Sequence, residues 1–268
     1  MKQVYKKGRG QTEKLLSTPL LPESKVKTVL ISGKYKHIID ALNRKYGINT
    51  LEIIANSQLD KPIASHADCC FLQLDKNTFF VDKNNYNNIV NFFTSIEGEN
   101  ITNFNIISEA VCSPYPQDVK LNAKVIGRSV LCNTKYLSES VHNSAVNSNF
   151  KLVNTNQGYA ACSSILLNNN AIITDDESIY ASCKLNAIDC ILISKGSVQL
   201  QGYNYGFIGG TCGIIDKNLI AFTGSLKQHT DYELINAFLY KHNIRYIELT
   251  DGPLIDIGGI IPLTQTIE

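Results

Sequence analysis

Short apolar segments that end in a small or polar residue recur along the chain. Aligning these segments on one marker position in each selects Ser32, Val81, Cys132, Thr174 and Thr223. The steps between the markers are 49, 51, 42 and 49 residues. A spacing of this length that recurs along a chain is typical of repeated supersecondary units. The pattern therefore predicts five copies of one structural unit.

Within one unit, a strand and a turn precede the marker, and a helix and a further strand follow it. The turns contain Asn or Asp, as in residues 75–77 and 168–170, because these residues tolerate the left-handed geometry of tight hairpins. The clearest helix is predicted over residues 231–241, where apolar side chains form one stripe. The last strands of the units are predicted over residues 48–54, 104–107, 150–153, 188–193 and 244–249.

The two ends of the chain hold complementary fragments of this unit. Residues 258–264 have the pattern of a first strand without a hairpin partner, whereas residues 27–54 form a unit that lacks its first strand. Pairing the fragments leaves neither strand unpaired. We therefore expect an α/β fold, a five-bladed pseudosymmetric ββαβ propeller whose last strand closes onto the N-terminal blade. It would be one domain over residues 25–268, with residues 1–24 as a tail. The alternative is an ordinary α/β sheet with coincidental spacing.

Composition narrows the classes of function. The net charge is +1 and 18% of residues are charged, so we expect neither a nucleic acid nor a membrane as partner. There is no apolar run of about 20 residues, and residues 1–10 lack the apolar core of an export signal. The eight cysteines are then expected to be thiols of a cytoplasmic protein. Without CxxC or HExxH spacing, we expect no metal and no cofactor. These observations are compatible with a homo-oligomer.

In a closed radial repeat, the loops that lead into the first strands converge near the axis. The polar residues of these loops, together with one residue after the fourth marker, are the candidates for ligand binding. They are Asp68, Asp118, Asn122, Tyr159, Asp175, Asn204, Asp251 and Asp256. Because these loops contain acidic residues and no Lys or Arg, they favour a small cationic, guanidino or amide-bearing ligand over a phosphate. Each Asp taken alone is equally consistent with a turn or cap residue.

The segment Tyr115-Pro116-Gln117-Asp118, followed by a strand, resembles the aromatic-x-x-Asp motif of deiminases in the guanidine-modifying-enzyme, or pentein, superfamily. The predicted architecture of residues 25–268 resembles the same superfamily, and most closely a bacterial branch of it. The resemblance implies that Asp118 holds a guanidinium group. It also implies a nucleophilic Cys where this chain has Gly258, and a His-x-Asp pair where it has Asn204-Tyr205-Gly206. The usual chemistry of the superfamily is therefore not expected in its usual form.

Three functions follow from these observations. The first is binding of a small cationic or amide-bearing molecule without chemistry. The second is a divergent C–N hydrolase that uses Cys162 and His66 as catalytic residues. Here His66 begins a His-x-Asp segment and Cys162 lies in the loop before the first strand of another unit. A thiol beside an imidazole can be activated as a nucleophile. The third is a non-catalytic propeller that binds a macromolecule. As an alternative for both residues, His66 is a hydrogen-bonded structural residue and Cys162 a small buried one.

Overall fold

A computed structural model describes residues 13–96, 103–107 and 109–267 of the chain. Across these ranges the strands form five small sheets. The first sheet contains, in spatial order, β1 (Glu13–Leu15), β16 (Ile261–Thr266), β2 (Val26–Ser32) and β3 (Asn49–Ile53). The second sheet contains β4 (Phe71–Gln73), β5 (Thr78–Val81) and β6 (Asn103–Ile106), and the third contains β7 (Lys124–Ile126), β8 (Ser129–Cys132) and β9 (Lys151–Asn154). The fourth contains β10 (Ser164–Asn168), β11 (Ala171–Thr174) and β12 (Asp189–Leu192). The fifth contains β13 (Cys212–Asp216), β14 (Leu219–Phe222) and β15 (Arg245–Glu248).

Every sheet repeats the same local arrangement. An antiparallel pair is followed by a parallel pair, and one helix connects the two parallel strands. These five helices are α1 (Lys36–Asp40), α3 (Tyr86–Thr94), α4 (Glu139–Asn147), α5 (Glu177–Leu185) and α6 (Tyr232–Lys241). A π-helical turn over Ala41–Lys45 continues α1. The predicted strand–strand–helix–strand unit is confirmed in all five sheets.

The two ends of the chain meet in one sheet, as their complementary fragments predict. Strand β16 pairs antiparallel with β2, with Ile261 opposite Leu30 and Pro262 opposite Val29. The strand begins three residues later than predicted, because Gly258 and Gly259 have φ values of +76° and +82°. Backbone in this left-handed region cannot continue a strand. These two glycines instead form the turn that leads into β16.

The described part of the expected N-terminal tail is paired. Strand β1 lies beside β16 on the side opposite β2, and the following Leu16 is fully buried. The Glu13 carboxylate accepts hydrogen bonds from the hydroxyl groups of Thr28 and Thr264. These hydrogen bonds hold β1 at the edge of the first sheet. Residues 1–12 of the expected tail lie outside the described ranges.

A cavity of about 70 Å³ lies among the first strands of the sheets. It is lined by residues of β4, β7, β10, β13 and β16, which are one strand from each of the five sheets. Representative lining side chains are Phe71, Val125, Ile165, Ile214 and Ile261. The five sheets therefore share one central space. Within the described ranges, no helix is both long and apolar enough to cross a membrane.

Candidate functional site

One helical turn and the loop before it carry the first group of site residues. The turn, α2 (Ala67–Cys70), lies directly before β4, which begins at Phe71. His66 is the residue before the turn and is 1% exposed. A helical turn directs neighbouring side chains differently from a strand, where they would point to opposite faces. This geometry allows Asp68 and Cys69 to approach the same partner, Cys162.

His66 and Asp256 form a buried pair. The distance from His66 Nδ1 to Asp256 Oδ1 is 3.7 Å. Asp256 also accepts hydrogen bonds from the backbone amides of Phe207, at 2.9 Å, and Gly258, at 3.0 Å. Burial raises the pKa of Asp256 above its usual range, and the neighbouring His66 opposes that rise. The other ring nitrogen, His66 Nε2, is buried and has no hydrogen-bond partner among the described residues.

Gly258 packs directly against His66. A Cβ atom added at Gly258 would lie 2.4 Å from both Cα and Cβ of His66, which is far inside van der Waals contact. The φ of +76° at this position also disfavours any residue with a Cβ. A side chain at position 258 and the observed placement of His66 therefore exclude each other. Catalytic chemistry in this site would have to come from other residues.

Cys162 lies between Asp68 and Asn122. Its thiol donates to Asp68 Oδ2 at 2.9 Å and accepts from Asn122 Nδ2 at 2.9 Å. The Asn122 Oδ1 atom accepts from the backbone amides of Ala161 and Cys162, at 2.8 and 3.2 Å, so the amide group is held in one orientation. Burial raises the pKa of the Cys162 thiol well above its ordinary value, and Cys69 and Asp68 raise it further. The uncharged thiol is the form that this environment stabilises.

Cys69 is a site residue that sequence reasoning missed. One ligand atom from each of Asp68, Cys69 and Cys162 lies within 4.8 Å of the other two, and all three residues are buried. They are the residues here that could hold a metal ion. A cysteine in an apolar stretch is usually a core residue. The available signal was its position next to Asp68, in a loop already expected at the site.

A cavity of about 240 Å³ connects these groups to an aromatic surface. His66, Cys69, Cys162 and Asp256 contribute its polar and sulfur-bearing wall. The remaining wall is largely apolar and aromatic, and its ring-bearing members are Tyr159, Tyr203, Tyr205 and Phe207. Tyr203 and Tyr205 are 45% and 38% exposed, so part of the aromatic wall is accessible to solvent.

Asp118 lies behind the aromatic wall and is held by Tyr159. The Tyr159 hydroxyl donates to Asp118 Oδ2, while the buried Asp118 Oδ1 has no hydrogen-bond partner in the described ranges. Burial raises the pKa of Asp118, and the hydrogen bond from Tyr159 opposes that rise. The Tyr159 ring is 5.8 Å from that of Tyr115 and 5.5 Å from that of Phe207, measured between centroids. The cis Tyr115-Pro116 bond is part of the loop that precedes Asp118.

The other predicted site residues occupy different places. Asn204 lines the 240 Å³ cavity and is exposed. Asp175 lines a separate groove beside Asp176 and Lys195, and burial raises its pKa to about 7. Asp251 is exposed and is not part of the cavity wall. The structure therefore brings most of the predicted residues together, but leaves Asp251 outside and Asp175 facing a second groove.

Among the described residues, the buried carboxylates of this region have only the His66 imidazole, beside Asp256, as an ion-pair partner. Asp68, Asp118 and Asp256 are at most 7% exposed. Among the described residues none of them forms an ion pair with Lys or Arg. Lys124 lines the central 70 Å³ cavity together with Asp68 and interacts with it electrostatically, although the two form no ion pair within 4.0 Å. A buried carboxylate without an ion-pair partner is costly.

Comparisons with known proteins identify the sequence family and the fold. A family described as "Family of unknown function (DUF6873)" matches residues 30–261. The chain belongs to this family. No curated protein matches the sequence.

The fold is shared with solved structures of several enzymes. Agmatine deiminase from C. jejuni is 12% identical, with a TM-score of 0.52 and 93% of each chain covered. Inosamine-phosphate amidinotransferase StrB1 from Streptomyces griseus is 12% identical, with a TM-score of 0.53, and 95% of this chain and 97% of that chain are covered. DDAH from Pseudomonas aeruginosa, solved with citrulline, is 9% identical, with a TM-score of 0.50, and 91% of this chain and 100% of that chain are covered. The resemblance to the pentein, or guanidine-modifying-enzyme, fold superfamily is confirmed. Identities this low show the fold alone.

Proposed function

We propose that the five sheets are the blades of a closed pentein propeller whose axial cavity binds a small cationic ligand with a guanidino or amide group. Two features support the closed ring. The central space is lined by one strand from each sheet, and β16 pairs with β2 to join the ends of the chain. Binding sites lie preferentially in concavities with a few convergent polar groups, which the 240 Å³ cavity provides.

The observation that carries this proposal is the set of buried carboxylates around the cavity. Asp256 lines the cavity, Asp118 supports its aromatic wall, and Asp68 bonds to the lining Cys162. Buried oxygens of Asp68 and Asp118 have no hydrogen-bond partner among the described residues. A guanidinium or ammonium group in the cavity supplies a positive charge that offsets these carboxylates, and N–H donors for Asp256 in the cavity wall.

The aromatic wall supports the same class of ligand. Tyr159, Tyr203 and Phe207 line the cavity beside the acidic groups. The Tyr203 hydroxyl donates to the Asp60 carboxylate at 3.0 Å, so a further negative charge lies at the exposed side. A cation over the face of an aromatic ring gains about 0.5–2 kcal/mol, depending on its desolvation. Aromatic rings and carboxylates together therefore favour a planar cation.

The activities named for the structural neighbours support the guanidino part of the proposal. One neighbour is an agmatine deiminase and another an amidinotransferase, and agmatine carries a guanidino group. In this chain the position that the resemblance assigns to the nucleophile is Gly258, which has no room for a side chain against His66. Binding without the usual chemistry is therefore the function that we favour.

Thermal-shift titration of chelator-treated protein with agmatine, arginine and guanidinium tests this proposal. Ligand at 100 times its dissociation constant stabilises the folded state by about 2.7 kcal/mol. For a chain of this size, each kcal/mol of added stability raises the Tm by roughly 2–4 °C. Asp118→Asn should remove most of the shift, whereas Asp251→Asn, an exposed carboxylate outside the cavity, should keep it. Absence of a shift with every ligand, or an equal loss in both variants, would show the proposal to be wrong.

The second candidate function is a C–N hydrolase that uses Cys162 and His66. It is favoured by one observation, that both side chains line the same cavity. Against it, the Cys162 thiol donates to Asp68, and its pKa is well above the ordinary value. A thiol in that state is a poor nucleophile at neutral pH.

Selective alkylation and product assays separate the two functions. A catalytic Cys162 should react with iodoacetamide near neutral pH before the half-buried Cys112, and agmatine should be converted with release of ammonia. We expect instead that Cys112 reacts first and that no ammonia is formed. Ammonia release that is lost in both Cys162→Ala and His66→Ala would establish the hydrolase.

A further inference from the structure

A cluster of sulfur and oxygen donors lies at the inner wall of the cavity. One ligand atom each of Asp68, Cys69 and Cys162 lies within 4.8 Å of the other two, and all three residues are buried. The helical turn α2 brings Asp68 and Cys69 together, and Cys162 approaches them from the loop before β10. Asp68 and Cys162 are 94 residues apart in the chain, so the cluster exists only in the fold.

We propose that Asp68, Cys69 and Cys162 form a binding site for one zinc ion. Two thiolates and a carboxylate are donors that Zn²⁺ accepts, whereas Ca²⁺ and Mg²⁺ prefer oxygen ligands alone. This inference does not depend on the proposed binding of a guanidino ligand.

Two further observations point to a ligand at this position. The Asp68 Oδ1 atom has no hydrogen-bond partner among the described residues, although Asp68 is only 7% exposed. Asn122 Nδ2 donates to the Cys162 sulfur at 2.9 Å, and backbone amides fix the orientation of Asn122. Hydrogen bonds of this kind to ligating atoms orient them and stabilise their charged form.

The charge of the site is compatible with a bound divalent ion. On binding, Zn²⁺ replaces one proton on each thiol, and both protons leave to solvent. An ionised Asp68 with two thiols carries one negative charge. The same carboxylate with two thiolates and Zn²⁺ also carries one negative charge. The ion therefore adds no net charge to the buried site, while it replaces a thiol–carboxylate hydrogen bond with three coordinate bonds.

The Cys162–Asp68 pair lies close to the spacing that a zinc ion requires. Zinc bonds of about 2.3 Å to sulfur and 2.0 Å to oxygen in tetrahedral geometry place the two donors roughly 3.5 Å apart. The present distance from Cys162 Sγ to Asp68 Oδ2 is 2.9 Å. Rotation of the two side chains supplies the difference. With three ligands from the protein, the fourth position is left for water or a small ligand, because both thiols line the cavity.

Titration of the reduced, metal-free full chain with Zn²⁺ against a chromophoric chelator tests the stoichiometry. We expect one ion per chain, and Co²⁺ in its place should show the thiolate-to-cobalt charge-transfer band in the near ultraviolet. Cys69→Ser and Cys162→Ser should each lose tight binding and weaken the band. Cys70→Ser is the matched control, because Cys70 is the adjacent and equally buried thiol outside the cluster, and it should bind as the unmodified protein does.

Asn122→Ala tests the role of the hydrogen bond to sulfur, and it should weaken zinc binding roughly 10–100-fold. The proposal is overturned if the unmodified protein binds no stoichiometric zinc, if its cobalt form lacks the charge-transfer band, or if both Ser variants bind zinc normally. The cobalt spectrum of the unmodified protein decides the question even if a variant fails to fold. Ligand titrations on metal-free protein and zinc titrations without ligand keep the two proposals separate.

Discussion

Replacing Gly258 with alanine should destabilise the folded protein, because two independent costs act at this position. The φ of +76° places the residue in the left-handed region, which costs a residue with a Cβ about 1–2 kcal/mol. The new Cβ would also lie 2.4 Å from Cα and Cβ of His66 and 2.6 Å from its Cγ. Overpacking of a buried site typically costs about 1–3 kcal/mol. The sum is roughly 2–5 kcal/mol, a large part of the about 5–15 kcal/mol that stabilises a typical protein.

Urea unfolding followed by circular dichroism measures this loss, and Gly196→Ala is the matched control. Gly196 also has a positive φ, of +99°, but an added Cβ there would meet no atom within 4 Å. The control variant therefore carries only the backbone cost. We expect Gly258→Ala to lose at least about 1 kcal/mol more than Gly196→Ala. Equal losses in the two variants would refute the close packing of Gly258 on His66, and with it the reason why position 258 carries no side chain.

Three further predictions concern stability. Burial raises the folded-state pKa of Asp175 to about 7, above the unfolded value of about 3.9. The stability that the protonated carboxyl group contributes is therefore fully present below about pH 4 and is lost as the pH rises toward 7. Asp175→Asn should remove this pH-dependent loss in the free energy of unfolding, which is at most about 4 kcal/mol. Unfolding measurements at several pH values test this, and a pH profile unchanged in the variant would contradict the raised pKa. Tyr159→Phe leaves Asp118 Oδ2 without its hydroxyl donor and should cost about 1–3 kcal/mol in urea unfolding, whereas no loss would contradict the hydrogen bond. Deletion of residues 261–268 removes the partner of β2 and should abolish cooperative unfolding, so a cooperative transition would contradict the terminal pairing.

The fold could be predicted from the sequence because the repeat and the chain ends are independent signals. Spacing of the markers located the second strand of every sheet, and the incomplete fragments at the two ends predicted the pairing of β16 with β2. Local details were harder to predict. Cys69 lies in the helical turn α2, directly before β4, and no pattern in the sequence predicts this turn. The addition of β1 as an edge strand depends on contacts with the other end of the chain, which local sequence does not encode.

The site could be predicted only in outline. Loops that lead into first strands were expected to converge. His66, Cys162 and Asp256, from three of these loops, line one cavity, whereas Asp118 lies outside its wall. The direction of each side chain depends on turn geometry, so sequence could not show that Asp251 is exposed. Nor could it show that Cys69, rather than the neighbouring Cys70, faces the cavity. The roles of these residues remain predictions.

Calorimetric titration of the metal-free protein with agmatine at two pH values tests most directly whether buried carboxylates make the cavity a cation site. Burial raises the pKa of both Asp118 and Asp256, so lowering the pH neutralises them earlier than ordinary carboxyl groups. We predict one binding event near pH 8 that weakens as the pH is lowered, and at least a tenfold loss, about 1.4 kcal/mol, in Asp118→Asn. Absence of binding near pH 8, or affinity that neither acid nor Asp118→Asn changes, would contradict the account.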